Sequence, residues 1–478
     1  MRIAESALSP GTHFRRLAAF HHWFSEIAER TRMNVDRTAL EDLAGWREDG
    51  RTGDIVHRSG KFFAIEGLDV RFPGNCVAAW TQPIINQPEV GILGILVKEF
   101  DGVLHLLMQA KNEPGNHDGP QLSPTVQATR SNYTRVHHGR PVPYLDHFRD
   151  PSGRVLADVR QSEQGAWFYR KRNRNMVVEV TGDVELLDGF CWLTLGQVHE
   201  LLSVPDLVNM DARTVLACMP FSGRGTSDTF GSDGDGGFRA SLIRSCDPAQ
   251  GGRHGIDEVL SWTTGIRSTV DIHTERIPLN RLRRWHRADG KISHETGRFF
   301  DVIGVDVTAR GREVGAWSQP MIEPVGMGVI ALLVRNIDGV LHALVNARVE
   351  PGNSDVVELG PTVQCAPENY DHLPPGARPL FLDEVLAARP GRIRFDTVLS
   401  EEGGRFYHAR NRYLIVETDE DPALGHPDFR WLTMHQLGEL LRHSYYLNVQ
   451  ARSLSACLYS LTSSRVDSAP RLAPIPPH

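Results

Sequence analysis

Gln109-Ala-Lys-Asn-Glu-Pro-Gly-Asn116 is written a second time in this chain, as Asn346-Ala-Arg-Val-Glu-Pro-Gly-Asn353. Working outward at the same offset, Trp80-Thr-Gln-Pro83 answers Trp317-Ser-Gln-Pro320, and Asp101-Gly-Val-Leu-His105 answers Asp338-Gly-Val-Leu-His342. Pro124-Thr-Val-Gln127 answers Pro361-Thr-Val-Gln364, and Asn132-Tyr133 answers Asn369-Tyr370, still without a gap. Further along the offset slips by one residue and then by two. Phe168-Tyr169 pairs with Phe406-Tyr407, Arg172-Asn-Arg174 with Arg410-Asn-Arg412, and Trp192-Leu-Thr194 with Trp431-Leu-Thr433. A repeat this long is a whole domain and not a solenoid unit, so the chain is a tandem duplication. The expected organisation is a first repeat over 1–221, a flexible Gly/Ser/Asp linker over 222–237, a second repeat over 238–462 and a disordered tail over 463–478.

Both repeats mix strands and helices. A helical segment (about 13–30 and 255–268) precedes a short helix ending near Trp46 or Trp285. Strand-like runs follow at 62–65, 90–97 and 103–108, with Asp101-Gly102 as a hairpin turn. Later strands fall at 176–180 and 413–417, and amphipathic helices at 195–202 and 434–441. The expected fold class is α+β, an α/β/α sandwich with mixed sheets in each repeat.

Composition narrows the function classes. A formal charge of −7 leaves no domain-scale basic excess, which argues against nucleic acid and requires a local Arg/Lys cluster for any anionic ligand. The six cysteines are scattered, with no CxxC pair and no Cys/His zinc spacing, so neither a metal nor a disulfide framework is expected. No 18-residue apolar run or leader-like N-terminus is seen; the expectation is a cytoplasmic protein that does not meet a membrane. GxGxxG, GxxxxGK[ST] and GxSxG are absent, which removes the usual support for hydride transfer, P-loop chemistry and α/β-hydrolase chemistry.

Three stretches carry candidate chemistry. In Lys111/Glu113 and Arg348/Glu350 a base and an acid two residues apart share one strand face, as a surface ion pair or as a proton-transfer pair. Gln121, Ser123, Thr125 and Gln127 would share another face, suited to sugar hydroxyls or simply a solvated edge; Glu358, Thr362 and Gln364 are the second-repeat counterparts. The third stretch runs from Ser162 to Asn175 and contains Glu163, Gln164, Gly165, Trp167, Arg170, Lys171, Arg172, Asn173 and Arg174. Its copy contains Glu401, Glu402, Arg405, Tyr407, His408, Arg410, Asn411 and Arg412. A basic cluster behind aromatic rings can clamp a diphosphate while a ring stacks on a base, or it can be a charged solvent-facing strand; the aromatics and the copied Arg-Asn-Arg favour the ligand. Trp80 and Trp317 could stack a nucleobase or could be core, and Asn132, Tyr133 and Tyr370 flank the second stretch. His105 and His342 lie in apolar strands and read as structural.

With these residues in hand, the chain resembles the NDP-hexose 2,3-dehydratase family. The resemblance rests on Gln109–Asn116, Gln121–Tyr133, Ser162–Gly165, Lys171–Asn175 and their second copies, and covers nearly the whole chain. It implies tandem Nudix-like domains in a homodimer, acting on a dTDP-linked 4-keto-6-deoxyhexose and passing the product to a 3-ketoreductase. The Nudix metal box, G-x5-E-x7-REU-x-EE-x-GU, is missing from both copies, which removes the carboxylates that magnesium-dependent hydrolysis would need. The implied chemistry needs no cofactor: Glu113 or Glu163 would serve as base and Lys111 as acid or enolate donor, with Glu350, Glu401 and His408 as second-pocket equivalents. A sugar-nucleotide hydrolase and a non-catalytic sugar-nucleotide binder are the rival readings. Lys111 tips the catalytic assignment toward the first copy.

Overall fold

The protein is described by a computed structural model over residues 2–130, 141–230, 237–310 and 314–463. Each repeat contributes a seven-stranded mixed sheet and most of a five-stranded antiparallel one. In the first large sheet the order is Arg154–Ser162, Arg172–Val180, Gly91–Phe100, Val103–Lys111, Phe190–Thr194, and the second repeats this order. One pair in each, Arg172–Val180 on Gly91–Phe100 and its copy, is parallel. The hairpin turn is as expected: Asp101 and Gly102 have φ of 50° and 82°, and Asp338 and Gly339 have 51° and 86°. A two-residue turn with both φ positive matches the strand twist.

The long hydrophobic strands are buried on both faces. Leu93, Ile95 and Val97 point into one core while Ile92 and Leu96 point into another, the period of two expected of a strand. The inner faces of both large sheets meet in a single core, which also takes in residues of the helices Leu195–Leu201, Met210–Ala217, Met434–Leu440 and Val449–Ser463. The outer faces are covered by Phe148 in the first repeat and by Leu382 and Val385 in the second.

The small sheets exchange strands between repeats. Met33–Thr38 pairs with Phe300–Ala309 of the second repeat, and His273–Ile277 pairs with Ala64–Arg71 of the first. Trp46 and Trp285 are buried in the shared core between these sheets, and each donates its indole N–H across the repeats, to Ser318 O and Thr81 O, both at 2.7 Å.

Two local expectations change. The short helix before Trp46 is a single 3-10 turn, Leu40–Asp42, and Gly45 (φ 83°) turns the chain so that Trp46 begins a strand. Arg284 (φ 67°) does the same before Trp285. The start of the segment expected to be a flexible linker is folded: Thr226–Phe230 is helical, and Phe230 packs against Phe221 at 5.6 Å. Hydrophobic Phe230 inside a Gly/Ser/Asp stretch is what holds it down. Residues 231–236 and the tail from 464 lie outside the described residues.

Candidate active sites between the repeats

The Glu-Pro-Gly-Asn turns do not face their own repeat. Gly115 N–H donates to Gly403 O at 2.7 Å, and His408 N–H donates back to Gly115 O at 2.9 Å. The mirror pair is Gly352 to Gly165 O at 2.7 Å and Arg170 to Gly352 O at 2.6 Å. A Cβ on Gly115 would lie 1.7 Å from Phe406 O, so only glycine permits this approach. Two pseudo-equivalent sites result, each with its Glu-Pro-Gly-Asn turn from one repeat and its Ser-Glu loop from the other. The sequence reading grouped Lys111, Glu113 and Glu163 in one pocket of one copy. The structure divides them: Glu113 faces the loop of Glu402, and the loop after Glu163 faces Glu350.

In the first site Lys111 Nζ lies 3.5 Å from Glu113 Oε1, which also accepts from Gln127 Nε2 at 2.9 Å. Asn209 Nδ2 in turn donates to Gln127 Oε1 at 3.2 Å, fixing the amide. The Lys111 and Glu113 side chains are mostly buried but keep 14% and 9% exposure. From the second repeat come Glu402 and Arg405. A point beside Gly404, where its Cβ would sit, lies 2.5 Å from Glu402 Oε1 and 3.7 Å from Glu113 Oε1. The two carboxyl groups therefore share one small volume. Burial first, and then the Glu113 charge, push the Glu402 carboxyl up to about 7, with Arg405 partly offsetting them. Arg405 is held by Gly404 O (2.7 Å) and Gln87 Oε1 (3.2 Å), 4.2 Å from the Phe63 ring centroid. Asp211, buried with Oδ1 unpartnered, has its carboxyl pushed well above the ordinary range by burial and then by Glu163, Glu402 and Glu113.

The second site keeps the frame and its ion pair but has no charge at the positions of Glu402, Arg405 and Asp211. Arg348 Nε lies 3.0 Å from Glu350 Oε1, Gln364 donates to the same oxygen at 2.8 Å, and Asn448 holds Gln364 at 2.8 Å. Opposite them stand Gln164 where the first site has Glu402, Trp167 where it has Arg405, and Gln450 where it has Asp211. Trp167 packs edge-on against Phe406 at 4.6 Å. Glu401 is engaged by Gln164 (2.9 Å), Asn411 (2.6 Å) and Tyr413 OH (2.7 Å), which leaves it a structural group and not a free base. Glu163 Oε1 likewise accepts from Asn173 at 2.6 Å, while Glu163 Oε2 has no partner. Glu358 accepts from Ser162 Oγ at 2.5 Å, and burial raises its carboxyl to about 7.

Other predicted residues are used by the fold. Thr125 Oγ1 accepts from Leu96 N–H at 2.9 Å and donates to Leu107 O, and Thr362 repeats this with Leu333 and Leu344. These hydroxyls fill the gap where the chain steps from one strand partner to the next. Ser123 Oγ donates to Gln109 O, and Gln121 accepts from Ser400 Oγ at 2.9 Å. The predicted four-residue basic clamp is dispersed: Arg170 (φ 51°) and Lys171 precede the strand that begins at Arg172, and each side chain takes a different partner. Arg174 pairs with Asp158, Arg412 with Asp396 and Arg410 with Asp206, while Lys171 turns inward to Glu89 O at 2.5 Å. Burial brings the Lys171 ammonium down to about 8, against the opposing effect of Glu163. Arg172 bonds the Arg170 carbonyl, and the Arg170 guanidinium lies 5.0 Å from the Tyr169 ring. On the first-site rim Tyr407 stacks on His408 at 4.0 Å, and Arg37 from the exchanged strand lies 5.3 Å from the same tyrosine. Trp80 and Trp317 are half-buried and bond Gln82 and Gln319, which hold the Ala166 and Gly404 carbonyls. Tyr370 packs on the outer core, and Asn132 and Tyr133 lie outside the described residues.

Sequence reading missed Asp211, Arg213 and Arg452. The signal was present: Asn209-Met-Asp-Ala-Arg213 answers Asn448-Val-Gln-Ala-Arg452. Each asparagine caps its helix, with its Oδ1 accepting from the N–H of Ala212 or Ala451.

Against known proteins, the profile of the NDP-hexose 2,3-dehydratase family matches residues 17–219 and again 256–458. A dTDP-4-dehydro-6-deoxy-alpha-D-glucopyranose 2,3-dehydratase of Saccharopolyspora spinosa is 51% identical, over 96% of this chain and 95% of its own. The enzyme of the same name from Streptomyces violaceoruber is also 51% identical, over 93% and 97%. That of Amycolatopsis orientalis is 47% identical, over 96% and 93%. The doubled match falls on the two repeats that build the two sites, and the chain belongs to the NDP-hexose 2,3-dehydratase family.

Proposed function

We infer that the chain is a hydro-lyase that dehydrates dTDP-4-dehydro-6-deoxy-alpha-D-glucopyranose across carbons 2 and 3, and that the first site does the chemistry. The observation that carries the site assignment is the pairing of Glu113 with Glu402, two carboxyls in one volume with a lysine beside one of them. The second site has no such pair at these positions. A 4-keto group makes the proton on carbon 3 acidic. Glu113 takes that proton, and the C–H electron pair becomes the enolate, with Lys111 stabilising the charge on oxygen 4. The enolate expels the carbon-2 hydroxyl, which leaves as water with the proton of Glu402. A carboxyl poised near neutral pH suits this acid role. The resulting enol takes a proton at carbon 2 and loses one from oxygen 3, giving the 3,4-diketo-2,6-dideoxy sugar. Arg37 and His408, which meet at the Tyr407 ring, line the rim where a diphosphate would lie.

The two repeats would each be a Nudix-like unit, on the support of the mixed sheet with its parallel central pair. We further propose a cytoplasmic homodimer whose unstable diketone is consumed by a 3-ketoreductase. No helix among the described residues is long and apolar enough to cross a membrane. The test is incubation with the 4-keto substrate in EDTA and in deuterated water, followed by mass spectrometry and NMR. Loss of water with deuterium at carbon 2 supports the reading. Magnesium-dependent release of a nucleoside monophosphate points to a hydrolase, and unchanged substrate points to a binder.

A further inference from the structure

Arg213 and Arg452 are the largest fully buried side chains among the described residues. A buried guanidinium is costly unless every donor is used, and a Leu or Met of similar volume would usually serve stability as well or better. Arg213 uses its fork on main-chain oxygens. Nη1 donates to Val208 O and Nη2 to Ser400 O, both at 2.6 Å, and Nε donates to Ser453 Oγ at 3.2 Å. Ser400 is the last residue of its strand and immediately precedes Glu401-Glu402. Its hydroxyl is tied to Gln121 of the first repeat at 2.9 Å. At the far end of the loop Gly403 and His408 are bonded to Gly115. Both ends of the loop carrying Glu402 are thus fastened to the repeat that carries Glu113. Arg452 mirrors this arrangement, reaching Ser162 O at 2.5 Å and Leu447 O at 2.7 Å, and so fastens the other loop to the other repeat.

We propose that Arg213 is a positioning residue for the dehydration: by gripping the Ser400 carbonyl across the repeat boundary, it sets the distance between Glu402 and Glu113. Arg452 holds the equivalent carbonyl in the site without the carboxyl pair, so it is an internal control of the same size, burial and bonding. The inference rests on the Glu113–Glu402 reading of the active site.

The test compares Arg213→Met with Arg452→Met in the full chain by kcat, KM, melting temperature and the pH profile of kcat. Arg213→Met should lower kcat by about tenfold or more, since small displacements of a catalytic group cost that much or more, with KM within about threefold. It should also move the alkaline limb of the profile, because the environment of Glu402 changes. Arg452→Met should leave kcat within about threefold and the limb in place, with a similar change in melting temperature. Equal effects on kcat, or an unmoved limb in Arg213→Met, would overturn the proposal. Should Arg213→Met fail to fold, Arg213→Lys, which can reach one carbonyl but not two, is read in the same way against Arg452→Lys. If Glu402→Gln keeps full activity, the active-site reading itself fails; if Glu402→Gln is inactive and the arginine pair behaves alike, only the positioning claim fails.

Discussion

Gly115 of the first repeat and Gly403 of the second are joined by a 2.7 Å main-chain hydrogen bond, which makes each site a product of both halves. Because Phe406 O occupies the place where a Gly115 Cβ would go, at 1.7 Å, Gly115→Ala must push the Glu402 loop away from Glu113. Gly352→Ala meets Phe168 O at 1.9 Å and should disturb the other site instead. The expected outcome is a drop in kcat/KM of about 100-fold for Gly115→Ala, the cost of an ångström-scale misplacement, and a far smaller one for Gly352→Ala. Steady-state kinetics on both, with melting temperatures, checks this.

Lys111 and Arg348 occupy equivalent positions beside Glu113 and Glu350 but serve unequal sites. Lys111→Ala should reduce kcat by about 100-fold or more, the scale of losing one donor to a developing oxyanion. Arg348→Ala should stay within several-fold. Small and similar losses from both would remove lysine from the mechanism.

The Glu402 carboxyl is pushed up to about 7, chiefly by burial, and works as an acid only while it holds its proton. Its activity is therefore present below about 7 and lost as pH rises through that value, tenfold per unit on the alkaline side. A kcat–pH profile should show this limb, and Glu402→Gln should lower the plateau and abolish the limb.

Glu358 offers a stability test apart from catalysis. Its counterpart in the first repeat is Gln121, so the fold accepts an amide there. Its carboxyl titrates near 7 when folded, above its ordinary value. A raised folded value means stability is fullest at pH below the unfolded value and falls as pH climbs through about 7. Glu358→Gln should therefore raise the melting temperature at pH 8 and change it little at pH 5. Thermal unfolding across that range decides the matter; an equal gain at both pH values would contradict the titration.

Much of the site was legible because the same residues are written twice. Glu113 with its basic neighbour, Gln127, and the divergence of Arg405 from Trp167 and His408 from Arg170 all stand in the sequence. The basic cluster at 170–174 misled because charge density along the chain says nothing about direction: Arg174, inside the strand, ended on Asp158, while Lys171, just ahead of it, went inside. The hydroxyls of Ser123 and Thr125 looked available for sugar and are consumed by carbonyls. Asp211 and Arg213 sit in a helix whose repeated Asn-x-x-Ala-Arg could have flagged them, but their complete burial is visible only in the fold.

By itself the sequence determined that there are two copies of one α+β unit, where its central hairpins lie, and which family it resembles, because those properties are local or repeated. Only the tertiary structure decided that the copies trade strands and complete one another's sites. A duplicated chain carries two chemically similar surfaces for every partner, so pairing within a repeat and pairing across repeats are written in the same residues. Which of them forms is settled by the shared core and by the backbone contacts at Gly115 and Gly352, where only a glycine lets two main chains touch.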